Sequence, residues 1–427
     1  MKKKMFKPTI SLAVAIASSH VLASGFALNE QDIAGMGTGF AGRSSFADNA
    51  STVYGNPAGM SRLEGQQITG GVATIDASTD IKDASGRSFG SNKGDMVPFT
   101  GVPFGFYTNK LNDQWAIGFG VYAPFGLVTD YENGFQGRAF GNFSKVSVIT
   151  LQPTVSYAFN DRISIGFGPT INKISGKLES DLALISNPAV PDTNITVKGD
   201  DTAVGFNVGI LVKATDITSI GLTYHSKVGY KLHGQTEVTA IALTAPVLAS
   251  GQYDASLKIE TPESYDLSVT QDLSEAWKIY GGTTWTRWSR LKDITVNNEG
   301  VTSAGGIQAP AILSTITEPQ NWHDTWAYAV GTSYQITKQV VLRSGLAFDQ
   351  APTNNTDRSP RMPTGDRTIF NVGLGYAVTD NMTVDLAYSY LKEESFNVKN
   401  SNALGSSYNA KYENSANGFG LGVTYKF

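Results

Sequence analysis

Three groups of residues in this chain have the types and spacing for chemistry. Gly37, Gly39 and Gly42 match a dinucleotide-binding loop, in which glycines let a pyrophosphate approach a helix N-terminus. No strand pattern precedes them, so close packing of one segment against another is the better account. His225 and His233 have no third partner at metal spacing, and read as polar residues lining an interior rather than as ligands. Arg343, Asp349 and Arg367 share a parity that points them inward on adjacent strands, near what should be the extracellular end. Arg343 and Arg367 there could meet a carboxylate head group, although such clusters are more often structural ion pairs. Cysteine is absent, which removes disulfides, thiolate nucleophiles and thiolate metal sites. No cofactor and no metal is implied.

The elements that would position these residues are legible in composition and texture. The chain has 427 residues, 45 of them glycine, 11% aromatic and only 16% charged, against about a quarter charged in soluble domains. No linker or change of texture follows residue 60, so one large unit is expected. Lys2, Lys3, Lys4 and Lys7 precede an apolar run from Ile10 to Ile16, and small residues lead to Val21-Leu22-Ala23. That is the pattern of a signal peptide cleaved near Ala23, with an apolar core too short to span a bilayer of about 30 Å. Without those four lysines the chain holds 29 basic against 37 acidic residues, a net charge of −8. Nucleic acid is excluded as a partner on that balance.

No later segment has the apolar length of a membrane helix, so a spanning structure must be a closed barrel that satisfies its own backbone. Alternation supports one. From Ser219 to His233, Ile220, Leu222, Tyr224, Val228, Tyr230 and Leu232 share a face expected to look at lipid, opposite Gly221, Thr223, His225, Lys227, Lys231 and His233. The closing run sets Phe419, Leu421, Val423, Tyr425 and Phe427 against Gly420, Gly422, Thr424 and Lys426. Six tight turns are expected, at Asn112-Asp113, Asn160-Asp161, Asp216, Asp272, Thr337-Lys338 and Asp380-Asn381. Seven longer connections lie near 78–94, 129–139, 181–198, 236–251, 295–320, 350–363 and 399–408. Alternating short and long links predict an all-β, antiparallel transmembrane barrel of about 14 strands over residues 62–427. A barrel of that size needs a plug. Residues 24–61, rich in Gly, Ala and Ser yet carrying Phe26, Leu28, Ile33, Met36 and Tyr54, are too apolar for a solvated tail and are assigned to the lumen.

Two wall features are unusual. Pro124 has no N–H for a strand ladder, and with Phe125 and Gly126 it predicts a kink that leaves a gap. The outer loops are apolar, with Leu182, Leu184, Ile185 and Val190 in one, Ile241, Leu243, Val247 and Leu248 in the next, and Ile307, Ile312, Leu313 and Ile316 in a third. Patches of that extent mark a binding surface, although loop helices packing on one another account for part of the pattern.

In this context Asn56-Pro57-Ala58, on its own only a turn, becomes specific. Together with Ser24-Gly-Phe-Ala-Leu-Asn-Glu30 it resembles the hatch of the FadL family of long-chain fatty acid transporters. The likeness continues through Pro124-Phe125-Gly126-Leu127, Leu222-Thr223-Tyr224-His225-Ser226, Thr261-Pro262-Glu263, Trp285-Thr286-Arg287-Trp288-Ser289, and Gly345 to Asp349 followed by Asp366-Arg367. The resemblance implies a hatch that moves, a kinked third strand through which ligand leaves sideways, and residence in the outer membrane of a Gram-negative bacterium. The expected partners are outer-membrane lipid and a hydrophobic ligand, a fatty acid first and an aromatic hydrocarbon second. A lipid hydrolase, the rival of another class, would need a Ser/His pair with an orienting group, and the inward parity of His225 weakens it. One departure concerns the ligand. Two basic residues that fatty-acid members place around the carboxylate fall here at Ser180 and Thr317, leaving a shifted clamp at Lys173, Lys177 or Arg343 open.

Overall fold

A computed structural model describes residues 25–182, 192–240 and 247–427. The expected signal peptide therefore lies outside the described residues, as do Ile185, Val190 and Leu243 of the expected ligand-capturing loops. The chain forms one antiparallel barrel, closed where the first strand, Gln66–Gly86, pairs with the last, Ser407–Lys426. Strands two to six are Thr100–Lys110, Trp115–Asp130, Phe143–Ala158, Ile163–Leu182 and Thr193–Lys213. The seventh strand is interrupted, running over Thr218–His225 and Val228–Thr239, and the eighth likewise over Gly251–Thr261 and Ser264–Asp272. The ninth and tenth comprise Trp277–Thr286 with Asp293–Asn298, and Thr315–Pro319 with Thr325–Gln335. Val340–Asp349 and Arg367–Ala377 follow, then Met382–Glu393 with Phe396–Ser401 as the thirteenth. Each strand pairs with its sequence neighbour, giving the expected fourteen. Among the described residues no helix is long and apolar enough to cross a membrane; the chain crosses with strands.

The closing strand behaves as its alternation requires: Phe419 and Leu421 face out at 52% and 49% exposure, while Gly420 and Gly422 meet Ile33 of the plug. Outward aromatics form two rows, one near the tight turns (Trp115 with Tyr157, ring centroids 4.7 Å apart) and one farther up the wall (Tyr224 with Tyr265, 4.8 Å). Such girdles mark the two interfaces of a membrane barrel.

Two expectations need correction. The first strand runs on to Gly86 through the segment assigned to a loop from residue 78, because the barrel continues as a polar sheet above the level where alternation with lipid is required. The seventh strand does not keep one face. Ile220 and Leu222 point outward, but Val228, Tyr230 and Leu232 are buried in an apolar cluster with Val148 and Ile174, and His233 is exposed. The irregular pair Ser226-Lys227 reverses the parity, a change that a period-2 pattern carried straight through cannot register.

The N-terminal segment fills the lumen with short helical turns. Asp32 caps Ile33–Gly37, its Oδ2 accepting from Gly35 N at 2.8 Å, and Asn56 caps the 3₁₀ turn Pro57–Arg62 with proline at its first position. Inward wall glycines make the space. A Cβ on Gly209 would lie 1.9 Å from Asn56 Oδ1, on Gly166 2.3 Å from the Pro57 carbonyl carbon, and on Gly282 2.4 Å from Ala41 O.

Candidate functional site

The wall is broken at the third strand. Its pairing with the second strand covers only Gly105–Lys110 against Ala116–Val121, so Thr100–Phe104 presents a bare edge on that side. Its pairing with the fourth strand shifts register between Tyr122 and Phe125. Ala123 and Pro124 therefore join neither neighbour. The missing N–H of Pro124 suits this position, and so does Pro103 on the bare edge opposite, since strand prolines belong where no ladder partner is waiting. Pro103 was readable in the sequence by the same rule, yet the kink was sought at Pro124 alone.

The plug closes the break with its own backbone. Leu28 N donates to Pro124 O at 2.8 Å, Gly126 N donates to Phe26 O at 2.9 Å, and Gln31 Nε2 donates to Ala123 O at 2.6 Å. Ala27 and Phe125 form an antiparallel bridge. Phe26 lies among Phe125, Trp288 and Trp322 at centroid separations of 5.5, 5.0 and 6.1 Å. Neither tryptophan was singled out for this contact from sequence, although Trp288 lay inside a recognised motif.

Above the plug is an apolar chamber with an empty volume of about 840 Å³, bounded by Phe26, Leu127, Ile174, Leu232, Leu257 and Ile294 among others. A vestibule with an empty volume of about 1350 Å³ adjoins it and is lined by Ser180, Leu182, Ile312, Ile316 and Thr317. Val197, Ile294, Val296 and Arg361 border both spaces. Loop packing explains part of the apolar loop sequence: Leu182, Leu248 and Leu313 are buried in one cluster with Val247 against it, while Ile307 is exposed.

Asn56-Pro57-Ala58 sits away from the break. Asn56 Nδ2 donates to Ser44 O at 2.6 Å and Ile210 O at 3.0 Å, and its Oδ1 accepts from Ala58 N at 3.0 Å. Ala58 O accepts from Ser156 and Ser164 hydroxyls at 3.2 and 3.0 Å. A buried polar seam continues beside it, with Ser44 Oγ donating to Asp266 Oδ1 at 2.5 Å and Thr223 Oγ1 donating to Gly55 O at 2.8 Å.

The charged trio separates. Arg343 is three residues into a strand that rises from a tight turn, and it meets Asp385 at 2.7 Å and Asp48 of the plug at 3.8 Å. It is not near the extracellular end and does not border the chamber or the vestibule; parity gives a face but not a height. Arg367 is opposite Asp349 in register and bonded to Glu393 at 2.7 Å, fully buried. Both arginines are held in ion pairs. Lys173 and Lys177 face outward, on the side opposite Asn172 and Ile174, so neither supplies a shifted clamp. Arg361, in the connection before the twelfth strand, is the buried cation that reaches both cavities. Nothing marked it in the sequence, because irregular loops have no parity to read. His225 packs against Tyr54 with ring centroids 4.9 Å apart, and its buried Nε2 has no hydrogen-bond partner among the described residues.

Inside the plug, burial pushes the Glu30 carboxyl up to about 7 against the pull of Arg43 and Arg367. Burial and the neighbouring Asp48 push Asp32 up to about 7 as well.

Residues 14–427 match the model of the family described as outer membrane protein transport protein (OMPP1/FadL/TodX). A putative outer membrane protein of Neisseria meningitidis is 30% identical over 99% of this chain and 98% of its own length. The long-chain fatty acid transport protein of Escherichia coli O6:H1 is 26% identical over all of both chains. The crystal structure of a Pseudomonas aeruginosa FadL homologue superposes with a TM-score of 0.85 at 25% identity, covering 95% of this chain and 100% of that one.

Proposed function

This chain belongs to the OMPP1/FadL/TodX family of outer-membrane proteins that transport hydrophobic compounds, and from that premise we propose that it carries long-chain fatty acids passively into the outer membrane. It is a transporter and not an enzyme. A long acyl chain resists a water-filled pore at about 0.8 kcal/mol per CH₂, so its route must offer apolar surface along its length. The observation that carries the reading is the unpaired stretch at Ala123-Pro124, stoppered by Phe26–Leu28 and adjoining the apolar chamber. Ligand caught among the outer loops, Leu182, Ile185, Val190, Leu243, Val247 and Leu248 included, passes through the vestibule to the chamber. Residues 24–61 act as the hatch. Withdrawal of Phe26–Leu28 from the third strand opens the space between Thr100–Phe104 and Pro124–Gly126, and the ligand leaves sideways into lipid. Residues 1–23 serve as the export signal.

Aromatic hydrocarbons form the second reading, favoured by one observation: Ser180 and Thr317 give the vestibule hydroxyls where a carboxylate would call for cations. Uptake of labelled oleate and of toluene by cells lacking and then regaining the protein tests both. Restored oleate uptake supports the first and restored toluene uptake alone the second. Indifference to both ligands ends the proposal.

A further inference from the structure

One ion pair stands where the vestibule meets the chamber, and it bears on the head group a ligand can bring. The inference rests on the transport reading above. Arg361 is 5% exposed. Its Nε donates to both carboxylate oxygens of Glu318 at 3.0 and 2.9 Å. Its Nη1 donates to Phe143 O at 3.2 Å, Ser144 Oγ at 3.2 Å and Glu179 O at 2.9 Å. Two of the three guanidinium nitrogens are thus tied to the barrel and its loops. Nη2 makes no hydrogen bond among the described residues, and it is not sealed off. Its two N–H groups are left to whatever occupies the junction.

The charge of Arg361 is already balanced there. Glu318 borders the vestibule with its side chain 27% exposed, Ser180 and Thr317 add no charge, and Lys399 and Asp357, which also line the vestibule, carry opposite charges. The chamber has one further cation on its border, Lys198, which faces Glu237 at 3.6 Å. A carboxylate brought to Nη2 would lie across one guanidinium from Glu318, beside apolar walls that screen like charges poorly. A neutral oxygen meets no such repulsion and still accepts a charge-assisted hydrogen bond.

We infer that Arg361 and Glu318 form a head-group reader that favours a long apolar tail with an uncharged oxygen head, such as a fatty alcohol, a fatty ester or a protonated fatty acid, and holds the ionised carboxylate more weakly. The tail lies in the chamber and the head accepts from Nη2. Glu318 supplies the discrimination; Arg361 supplies the bond.

The test is retention of labelled oleyl alcohol, oleate and hexadecane by the purified full-length protein in detergent. At about pH 8 the wild type holds oleyl alcohol about tenfold more tightly than oleate, the order expected of one uncompensated like charge. Glu318→Gln raises oleate affinity about tenfold and leaves the alcohol within about threefold. Lowering the pH to about 5, which protonates much of the fatty acid, raises oleate retention by the wild type and leaves the alcohol unchanged. The pH arm stands even if the variant fails to fold. Equal retention of oleate and oleyl alcohol by the wild type at the higher pH overturns the inference, as does oleate retention that ignores both the variant and the pH. Failure to hold any of the three ligands would instead remove the transport reading beneath it.

Discussion

The two ends of the N-terminal segment meet the barrel in different ways. At Asn56-Pro57-Ala58 the plug is fixed by buried side-chain bonds to Ile210, Ser156 and Ser164 of the wall, over wall glycines that leave no spare volume. At Phe26–Leu28 it is held by two backbone hydrogen bonds, one glutamine and the faces of three aromatic rings. Backbone pairing of that kind is broken and remade with one buried side-chain donor, Gln31 Nε2, losing its partner, because the strand edges it frees can take water or ligand. Removing Asn56 from its site strands several groups at once, at about 1–3 kcal/mol for each one left unsatisfied. On the proposed route, the contrast assigns the anchor to the Asn56 end and the moving part to the Phe26 end.

The largest effect expected from this contrast lies at the anchor. Gly209→Ala drives a methyl into Asn56 Oδ1 and Pro57, and Asn56→Ala leaves Ala58 N and Ser44 O without their partner. Each change should loosen the whole plug by about 2 kcal/mol or more. Single-channel recordings should then show ion leakage that the wild type lacks, and hydrogen exchange should rise across residues 25–61. Quiet channels with exchange raised only at Phe26–Leu28 would reverse the assignment of the two ends.

A covalent lock tests the moving end. The chain has no cysteine, so Ala27→Cys with Phe125→Cys places the only two thiols at a bridged antiparallel pair, where facing Cα atoms come within disulfide reach. Oxidised protein should take up oleate at about a tenth of the reduced rate or less, on the view that a held hatch blocks nearly every passage. A reductant should restore it. Uptake that is the same in both redox states would mean that Phe26–Leu28 need not leave the third strand.

The contrast was only half legible in the sequence. Strand number followed from the alternation of short and long links, and the face of the closing strand from its period of two, because lipid imposes a uniform outward demand along each crossing. The kink was legible because a strand proline brings no N–H to the ladder. What failed to show was height and parity beyond an irregularity: Arg343 was placed at the wrong end, and Val228, Tyr230 and Leu232 on the wrong face past Ser226-Lys227. Arg361 escaped entirely, since a loop that folds back into a lumen follows the cavity and not a repeat. The glycine content held a further signal. Inward glycines such as Gly166, Gly209 and Gly282 trace the path of the plug, a reading that needs the register of each strand first.

The smallest expected effect distinguishes the two ends by pH. Glu30 lies two residues beyond Leu28, and burial raises its pKa from 4.5 to about 7; Asp32, raised from 3.8 to about 7, faces Asp48 and Asp385 and is bonded by Asn49 and Gly35. A raised carboxyl pKa in the docked plug means that docking takes up protons. Docking is therefore fully favoured below the ordinary carboxylate range, and it weakens as pH rises from about 4 toward 7. Asn56, Ser44 and the hydroxyls around Ala58 do not titrate in that interval. Hydrogen exchange at residues 26–32 should accordingly speed up between about pH 5 and pH 8, beyond the intrinsic chemical rate, while exchange at residues 55–60 keeps its protection. Glu30→Gln and Asp32→Asn, the latter keeping an oxygen to cap the helix, should each flatten part of that rise. A rise of the same size at both ends would mean that the plug loosens as one body, and the division into anchor and moving end would have to be given up.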